Sequence, residues 1–491
     1  MKKIICILSV MTILVSCTDL ESEMYNVINP SIFPKNQQDA EALVTAAAYN
    51  TLGTNWNSVF KVNNNGYQTV SELLTDLGDI EWSGLGLPDL QNVNLTVNSD
   101  RVTDMYSWVR SISTVTLTIE RIAGVDMPQS VKDRLNAELH CSKGWLGYIF
   151  YDWYGPIPVA SLEVLQDPLN EETLPRLSKE EMVSFIETEL KEAIKGLPAN
   201  YKKGDADYGR FTRGLAYTVL MKLYMHEGDW AKAEECGREL MKAEYGYELV
   251  PEYEDIFTLE NEKNAEIIWA LQCTRNGNMA EWYAHCVPSM YPTKNPNMTK
   301  WSGYRVPWAF YHTFDPSDKR LNVLIGDFVG TDGIRYNEES PSLILDKGAI
   351  PIKYGEDPVA VGSGSQVDWV IYRYADVLTA LSEVIVRKNN AITQEAIDLL
   401  NTVRIRAGIT PYTQADFSDV ADFLDKVLLN RGQELWWEGH RRSDLIRHGK
   451  FVEYARKYKG STTAEEFMTL MPIPQSAINE GKGKVIQNPG Y

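Results

Sequence analysis

Asp79 and Glu81 lie just before Trp82, in a segment that is rich in glycine and asparagine. Two carboxylates about 5–10 Å apart are the arrangement with which glycoside hydrolases cleave sugar chains. With 67 acidic residues in the chain, however, two beside a Trp are expected by chance. The sequence has no HExxH, GxSxG or GxxxxGK(S/T) motif, and its six His are not spaced as metal-ligand pairs. We therefore predict a protein that is not an enzyme and has no metal site or cofactor, with a helical-barrel glycoside hydrolase as the alternative.

The composition of the chain is that of a globular protein. Of its 491 residues, 44% are hydrophobic and 23% are charged, which argues against extended disorder. The formal net charge is −19, so the protein would repel a phosphate backbone. We therefore expect no nucleic-acid partner.

The N-terminus has the pattern of a lipoprotein leader. Lys2 and Lys3 precede a short apolar run, residues 4–15, that is too brief to span a bilayer. The segment Leu14-Val15-Ser16-Cys17 resembles a bacterial lipobox, in which cleavage before the Cys accompanies acylation of its thiol. We predict a signal peptide over residues 1–16, lipidation of Cys17 and a tether over 17–36. No later apolar run reaches about 18 residues, so we expect a chain that is anchored to the membrane and does not cross it.

Four cysteines remain beyond the leader and Cys17: Cys141, Cys236, Cys273 and Cys286. Four cysteines allow three pairings, and no spacing selects one, so their disulfide state stays open. Cys141 and Cys236 fall within helical patterns, and we predict that both are small buried hydrophobic residues.

Apolar residues recur at helical spacing along most of the chain. The periodic stretches begin at Gln37 and continue at 108–122, at 131–151, after the capping box of Ser178 and Glu181, at 209–245 and at 370–408. In the fifth of them, the turn Gly228-Asp229-Trp230 separates two helices, which is similar to one tetratricopeptide repeat. The pattern predicts a mainly α fold, a tetratricopeptide-repeat-like α-solenoid with irregular, loop-rich insertions.

We predict one domain over residues 37–491. Its helical pairs occupy about 37–250 and 369–410, and its insertions occupy about 53–100 and 250–368. A separate C-terminal region covers residues 423–491. Segments of this length without helical periodicity need local structure of their own, and short strand-like runs such as residues 267–271 occur within the second one.

Charged residues three and four apart mark the stretch 430–450. Arg431 is followed by Glu434, and Glu438 by Arg441 and Arg442, a spacing that predicts one helix with an internal network of ion pairs. His440 beside Glu438 could form an acid–base dyad, but a structural network is the interpretation that we favour.

The same stretch resembles the signature of the SusD/RagB-type outer-membrane nutrient-binding lipoproteins, in particular through Glu434-Leu435, Glu438-Gly439-His440-Arg441 and Asp444-Leu445. Short matches also occur at the lipobox and at residues 154–158, 315–320, 372–378, 401–408, 471–475 and 487–491. The resemblance implies a tetratricopeptide scaffold at the cell surface. Its ligand would be an oligosaccharide, less often a peptide, and its partner a SusC-like TonB-dependent transporter that the protein covers as a lid.

Aromatic residues in polar loops are the candidates for ligand binding, because sugar rings pack their apolar faces on indole and phenol rings. Five tryptophans lie in or beside the insertions: Trp56, Trp82, Trp282, Trp301 and Trp308. The tryptophans within helical patterns, such as Trp230 and Trp369, are predicted to pack in the core. The predicted ligand-binding residues are Asp79, Trp82, Trp282, Tyr291, Trp301, Tyr304 and Arg305.

Three alternatives stay open at this stage. The loop aromatics could instead form the small cores of their insertions. The ligand could be a peptide, and the glycan and its linkage cannot be read from the sequence. An adaptor solenoid that binds only other proteins is a further alternative. The sequence also leaves open whether the loops bind calcium, since no EF-hand-like spacing occurs in them.

Overall fold

The computed structural model describes residues 33–54, 57–61, 66–84, 86–167, 169 and 173–491. Cys17, the signal peptide, most of the tether and Trp56 lie outside the described residues. The predictions about them are therefore untested by the structure. Within the described part of the chain, no helix is both long enough and apolar enough to cross a membrane.

Helices dominate the fold. In chain order they are α1 Gln37–Val44, α2 Asn50–Leu52, α3 Tyr67–Leu73, α4 Leu87–Gln91, α5 Asp100–Tyr106, α6 Ser111–Ala123, α7 Gln129–Tyr154, α8 Leu162–Gln166, α9 Lys179–Gly196, α10 Arg213–Glu227, α11 Trp230–Leu240, α12 Trp282–Cys286, α13 Trp308–Tyr311, α14 Tyr374–Asn389, α15 Gln394–Arg406, α16 Val420–Leu435, α17 Arg441–Arg447, α18 Phe451–Lys459 and α19 Gln475–Glu480. A π-helical turn, Thr45–Tyr49, joins α1 to α2, and short 3₁₀ turns connect other elements.

In the part of the chain that the structure describes, eight short strands form four two-stranded antiparallel sheets. The strands are β1 Asp79–Ile80, β2 Ile267–Leu271, β3 Tyr304–Arg305, β4 Leu324–Ile325, β5 Phe328–Val329, β6 Arg335–Tyr336, β7 Ile350–Pro351 and β8 Trp369–Arg373. The pairs are β1 with β3, β2 with β8, β4 with β7 and β5 with β6. Every one of these strands except β8 lies in a predicted insertion, so the insertions are built from hairpins and long-range strand pairs.

Successive helices pack against each other as hairpins, as the repeat pattern predicts. Helix α7 contacts α6 and α9, α9 contacts α10, α10 pairs with α11, and α11 contacts α14, which pairs with α15. The mainly helical, repeat-like fold is confirmed.

The predicted helix ends are also found. Ser178 and Glu181 form the capping box of α9. Helix α7 ends at Tyr154, where Gly155 takes a φ of +70° that favours glycine. Between α10 and α11, Gly228 has a φ of +73° and Asp229 caps the second helix through the Lys232 amide.

The expectation that Trp369 lies within a helix is wrong, because this residue begins strand β8. The run Trp369-Val370-Ile371-Tyr372 consists of aromatic and β-branched residues, which favour strands, and it pairs with β2. Its indole is buried, as a packing residue requires. The strand pair β2–β8 thereby joins the second insertion to the start of α14.

The four described cysteines are buried and carry free thiols. The prediction that Cys141 and Cys236 are buried is confirmed.

The charged stretch 430–450, called the signature stretch below, is not one helix. Helix α16 ends at Leu435, and α17 begins at Arg441. Between them, Trp437 has a φ of +59° and Gly439 a φ of +85°. A Cβ at Gly439 would come 2.8 Å from the Cα of Gln68, so the turn needs glycine for space as well as for conformation.

The charged residues of this stretch therefore pair with distant segments, which corrects the prediction of an internal network. Glu438 accepts hydrogen bonds from Arg373, at 2.7 Å, and from Lys353, at 2.5 Å. The other pairs of the stretch are Arg431 with Asp376 and Asp444, Glu434 with Arg320, Arg373 and Arg406, Arg441 with Asp76, and Arg442 with Asp152. The pair Arg431–Asp444 joins α16 to α17, and every other pair ties the helix–turn–helix to another part of the fold.

The charge states within this network are fixed by its geometry. Burial acts to raise the pKa of Glu434, but the guanidinium groups of Arg406, Arg373 and Arg320 outweigh it and lower that pKa to about 2. Burial lowers the pKa of His440 to about 4, so its imidazole is neutral at neutral pH. The favoured structural interpretation agrees with this arrangement, since every partner of Glu438 named above is a buried cation.

We predict that Glu438→Gln lowers the stability of the fold by about 3–5 kcal/mol, because Arg373 and Lys353 would lose a buried anionic partner. Thermal and denaturant unfolding would measure the change. Glu395→Gln is the matched control, since its ion pair with Arg238 is about half exposed on both sides and should contribute less than about 1 kcal/mol. Equal stability of the two variants would contradict a structural role for Glu438.

Candidate functional site

The two insertions meet through the strand pair β1–β3. Asp79 lies opposite Arg305 and Ile80 opposite Tyr304. The backbone N–H of Glu81 continues the pairing by donating to the carbonyl of Gly303, at 2.9 Å. Residues that are more than 200 positions apart in the chain, among them Trp82 and Trp301, are therefore held side by side.

The end of α12 orders the segment that precedes β3. The N–H of Trp301 donates to the carbonyl of Ala284, at 2.7 Å, and that of Gly303 to the carbonyl of His285, at 2.6 Å. A Cβ at Gly303 would come 2.5 Å from the ring of Trp82, so only glycine lets this ring lie against the backbone there. The position of Trp82 is thus set by the backbone of residues 301–303.

Trp82, His285 and Trp301 form a group that we call the aromatic platform. The indole N–H of Trp82 donates to the carbonyl of Trp301, at 3.1 Å. The imidazole of His285 lies between the two indoles, with ring centres 4.7 Å from Trp301 and 5.3 Å from Trp82. Trp301 keeps 39% of its surface exposed, and Trp82 is half-buried. The platform therefore offers aromatic surface to the solvent on a fixed support.

Trp282 and Tyr304 lie beneath the platform. Their rings stack on each other, 5.4 Å apart and 11° from parallel, and Trp437 contacts Tyr304 at 4.8 Å. The indole N–H of Trp282 donates to the carbonyl of Pro351, at 2.7 Å. Since both residues are at most 1% exposed, in this structure they support the platform and do not face a ligand. A direct contact of Trp282 or Tyr304 with a ligand stays a prediction.

Arg305 is buried as well, and its guanidinium is occupied by the protein. It donates to the carbonyls of Cys286, at 2.9 Å, and Ile344, at 3.0 Å, and to the hydroxyl of Ser302, at 2.7 Å. These bonds fasten β3 to the end of α12. In this structure the buried Arg305 positions β3, and its direct contact with a ligand stays a prediction.

Acidic and basic groups surround the platform on the side of β1. Asp79 is half-buried, accepts a hydrogen bond from Gln91 and lies 3.5 Å from the ammonium of Lys347. The carboxylate of Glu81 lies 3.3 Å from Arg305. Burial raises the pKa of Glu81, and with the added effect of Asp346 and the opposing effect of Arg305 this pKa is about 8. Glu81 therefore holds its proton at neutral pH and can donate a hydrogen bond.

Two other predicted aromatics lie apart from this group. Tyr291 packs against Phe328, with ring centres 5.0 Å apart, and the carbonyl of Tyr291 accepts a hydrogen bond from Lys300. Trp308 donates its indole N–H to the carbonyl of Leu345, at 2.7 Å. A small separate core forms nearby from Tyr283, Val287, Met298 and Ala360. Some loop aromatics of the second insertion thus serve packing, as one alternative reading of the sequence proposed.

His285 is the platform residue that the sequence analysis missed. Burial lowers its pKa to about 4, and its Nδ1 lies 2.8 Å from the carbonyl of Glu281. The ring is therefore neutral at neutral pH, and because it is buried it supports the two indoles and is not itself a surface for the ligand. Its position three residues after Trp282, on the same side of a helical turn, is the signal that could have identified it.

This arrangement can hold a ligand that has both apolar faces and hydroxyl groups. The exposed indoles provide the stacking surface, and Asp79, Glu81 and Lys347 lie at its edge as hydrogen-bonding groups. Among the residues that the structure describes, no group of three or more His, Cys, Asp or Glu side chains is arranged to hold a metal ion.

We predict that Trp282→Ala lowers the stability of the protein by about 3–5 kcal/mol, because it removes a fully buried indole. Trp301→Ala should change stability by less than about 1 kcal/mol, because much of that ring already contacts water. Denaturant unfolding of both variants gives the comparison. A large loss of stability in Trp301→Ala would assign that ring to the core of its insertion.

Comparison with known proteins relates both sequence and fold to one family. Residues 330–491 match the model of the SusD family. The starch-binding protein SusD of Bacteroides thetaiotaomicron is 23% identical over 489 residues, which cover 86% of this chain and 84% of that protein.

Solved structures share the fold over nearly the whole chain. A SusD superfamily protein from Parabacteroides distasonis has a TM-score of 0.77 at 21% identity, over 93% of this chain and 99% of that one. A laminarin-binding SusD-like protein has a TM-score of 0.75 at 21% identity, over 93% of this chain and 100% of that one. The chain is thus similar in sequence to the SusD family over residues 330–491, and it shares its fold with these solved structures over 93% of its length.

Proposed function

We propose that the protein is a cell-surface lipoprotein that binds an oligosaccharide on the aromatic platform and passes it to a TonB-dependent transporter. The observation that carries this proposal is the pair of solvent-facing indoles, Trp82 and Trp301, which are held rigidly around His285. The starch-binding and laminarin-binding proteins among its relatives support a glycan as the ligand.

The platform suits a sugar for physical reasons. The C–H face of a pyranose ring packs on an indole, while its hydroxyls need hydrogen-bonding partners at the edge of the contact. The indole of Trp82 is held by the carbonyl of Trp301, and the indole of Trp301 packs on the ring of His285, so binding would lose little conformational entropy of these side chains. The edge supplies the protonated carboxyl of Glu81 and the charged groups of Asp79 and Lys347.

A binding role is favoured over hydrolysis by the relatives, which are named for binding starch and laminarin. Hydrolysis would need one carboxylic acid and one carboxylate that both reach the glycosidic bond, and Asp79 and Glu81 are the candidates for that pair. Incubation with glycans tests this alternative, and we expect it to release no new reducing ends.

The remaining parts of the proposal rest on the family and on the N-terminal sequence. Lipidation of Cys17 would anchor the protein in the outer membrane, and the described chain contains no helix that could replace such an anchor by spanning the bilayer. A ligand captured at the surface must then cross the outer membrane, which is the step that a SusC-like transporter would perform.

We predict that Trp82→Ala or Trp301→Ala weakens glycan binding by about 1–2 kcal/mol, which corresponds to a loss of about five- to thirtyfold in affinity. The double variant should lose measurable binding, because both rings lie around the same imidazole. A glycan array that includes starch and laminarin oligosaccharides would select the ligand, and isothermal titration would then measure each variant.

Tyr458→Ala is a matched control for these variants. Tyr458 is 37% exposed, close to the 39% of Trp301, and its ring contacts Tyr454 and not the platform. Its removal should leave glycan affinity unchanged. If the platform variants bind normally while remaining folded, the platform is not the binding site.

We also predict that Cys17→Ala yields a folded protein that is lost from the outer-membrane fraction, because the variant cannot be acylated. Fractionation of cells followed by immunoblotting would test this, with metabolic labelling by a clickable fatty acid to report acylation. Cys141→Ala serves as the control, since Cys141 is buried within α7 and should not affect labelling. Retention of the Cys17 variant in the outer membrane would show that other contacts suffice.

A further inference from the structure

A cleft of about 480 Å³ opens on the helical scaffold, and none of the platform residues line it. It lies between the end of α10, helix α17 and strand β8. Its volume falls within the range of about 300–1,000 Å³ that is typical of small-molecule sites. Exposed or half-buried residues such as Trp230 and Leu470 line it together with buried ones such as Tyr372 and His440, so it runs from the surface into the protein.

Aromatic side chains form much of its wall. Tyr148 and Tyr372 line it from α7 and β8, and Trp230 lines it from the start of α11. Phe60 and Tyr67 contribute from the first insertion. The wall can therefore pack against the apolar face of a ring.

The charged groups that line the cleft are already paired within the protein. Lys222 lies 2.6 Å from Asp376, Asp152 lies 2.8 Å from Arg442, and Glu438 is held by Arg373 and Lys353. The remaining charged lining residues are bound in the same way: Glu227 to Lys179, Arg431 to Asp376 and Asp444, and Arg447 to Glu383 and Asp444. Every charged group that could pair with a charged ligand is therefore already engaged. The free-energy cost of removing such a ligand's charge from water would not be offset by a new ion pair.

His440 supplies an unused hydrogen-bond donor. The ammonium of Lys222 lies 3.2 Å from its Nδ1, so Nδ1 accepts and the proton of the neutral ring resides on Nε2. Nε2 is buried and has no hydrogen-bond partner among the described residues, since the nearest carboxylate oxygen, on Asp376, is 3.9 Å away. His440 is only 7% exposed, and an unsatisfied buried donor of this kind is costly unless a bound molecule satisfies it.

We propose that this cleft is a second ligand site, which binds a neutral, polyhydroxylated ring of the size of a mono- or disaccharide. The ring packs on Tyr148 and Tyr372, and one of its hydroxyl oxygens accepts from Nε2 of His440. Further hydroxyls meet the phenol groups of the two tyrosines. This site does not depend on the proposed function of the platform, because the two have no residue in common.

Saturation-transfer NMR with glucose, galactose and maltose, each at about 10 mM, would detect binding in the millimolar range. Glucuronic acid serves as the charged probe. We expect at least one neutral sugar to bind the wild type and the platform variant Trp82→Ala/Trp301→Ala equally well, and glucuronic acid to bind at least about tenfold more weakly.

Two variants test the location. Leu470→Trp fills the cleft and should reduce sugar binding at least about tenfold, whereas Leu343→Trp, at a position that is 77% exposed and outside the cleft, should not. Tyr148→Phe removes one hydroxyl and little volume, so it should weaken binding about three- to tenfold without unfolding the protein. Melting curves would accompany each variant, and crystals soaked in the best sugar should show it in contact with His440.

Three results would overturn the proposal: no neutral sugar binds at this concentration, glucuronic acid binds best, or binding survives Leu470→Trp and Tyr148→Phe but is lost in the platform variant. The last of these would place the sugar on the platform and would leave the proposed function intact. Loss of polysaccharide binding in the platform variant, with monosaccharide binding in the cleft retained, would in turn support both sites.

Discussion

The fold depends on the pairing of Arg373 with three buried carboxylates. Its guanidinium donates to Glu266 in the second insertion, to Glu434 at the end of α16 and to Glu438 in the turn that follows. All four side chains are fully removed from water, so none of these charges is tolerable without the others. Strand β8, the second insertion and the signature stretch must therefore be in their native positions before all four charges are paired. The ion-pair cluster thus favours one arrangement of these segments over others, in addition to stabilising it.

The same cluster reaches the platform through the turn that it fixes. Trp437 adopts a left-handed conformation within that turn and places its indole against Tyr304, which lies beneath His285. The aromatic stack thus continues from the buried charges of the scaffold to the exposed ring of Trp301. Because each layer is packed on the next, the helical scaffold holds the platform in place, even though the platform residues Trp82 and Trp301 lie in loops.

Local signals in the sequence were sufficient for the helices but not for the contacts between them. The capping box at Ser178 and the turn at Gly228 are encoded within a few residues, and both occur as predicted. The spacing of Glu438 and Arg441 also satisfied a local rule, yet Gly439 breaks the helix and each charge finds a partner elsewhere in the fold. For the site, the sequence identified aromatic residues in polar loops, but whether a loop ring is exposed is decided by strand pairs that join positions more than 200 residues apart. Trp301 and Tyr304 therefore look alike in sequence, although one faces solvent and the other is buried.

The platform and the cleft share a physical device, an imidazole kept neutral by burial. Burial lowers the pKa of both His285 and His440 to about 4, so each ring is uncharged from about pH 5 upward. A protonated imidazole between Trp82 and Trp301 would be a buried charge without hydration beneath the two indoles, and a cation at His440 would lie beside the ammonium of Lys222. Neutral rings avoid both costs while keeping the aromatic surface and, at His440, a hydrogen-bond donor. Stacking at either place is therefore insensitive to pH across the range in which an ordinary surface histidine would change its charge, and a loss of binding near pH 4 would mark the point at which these buried rings accept a proton.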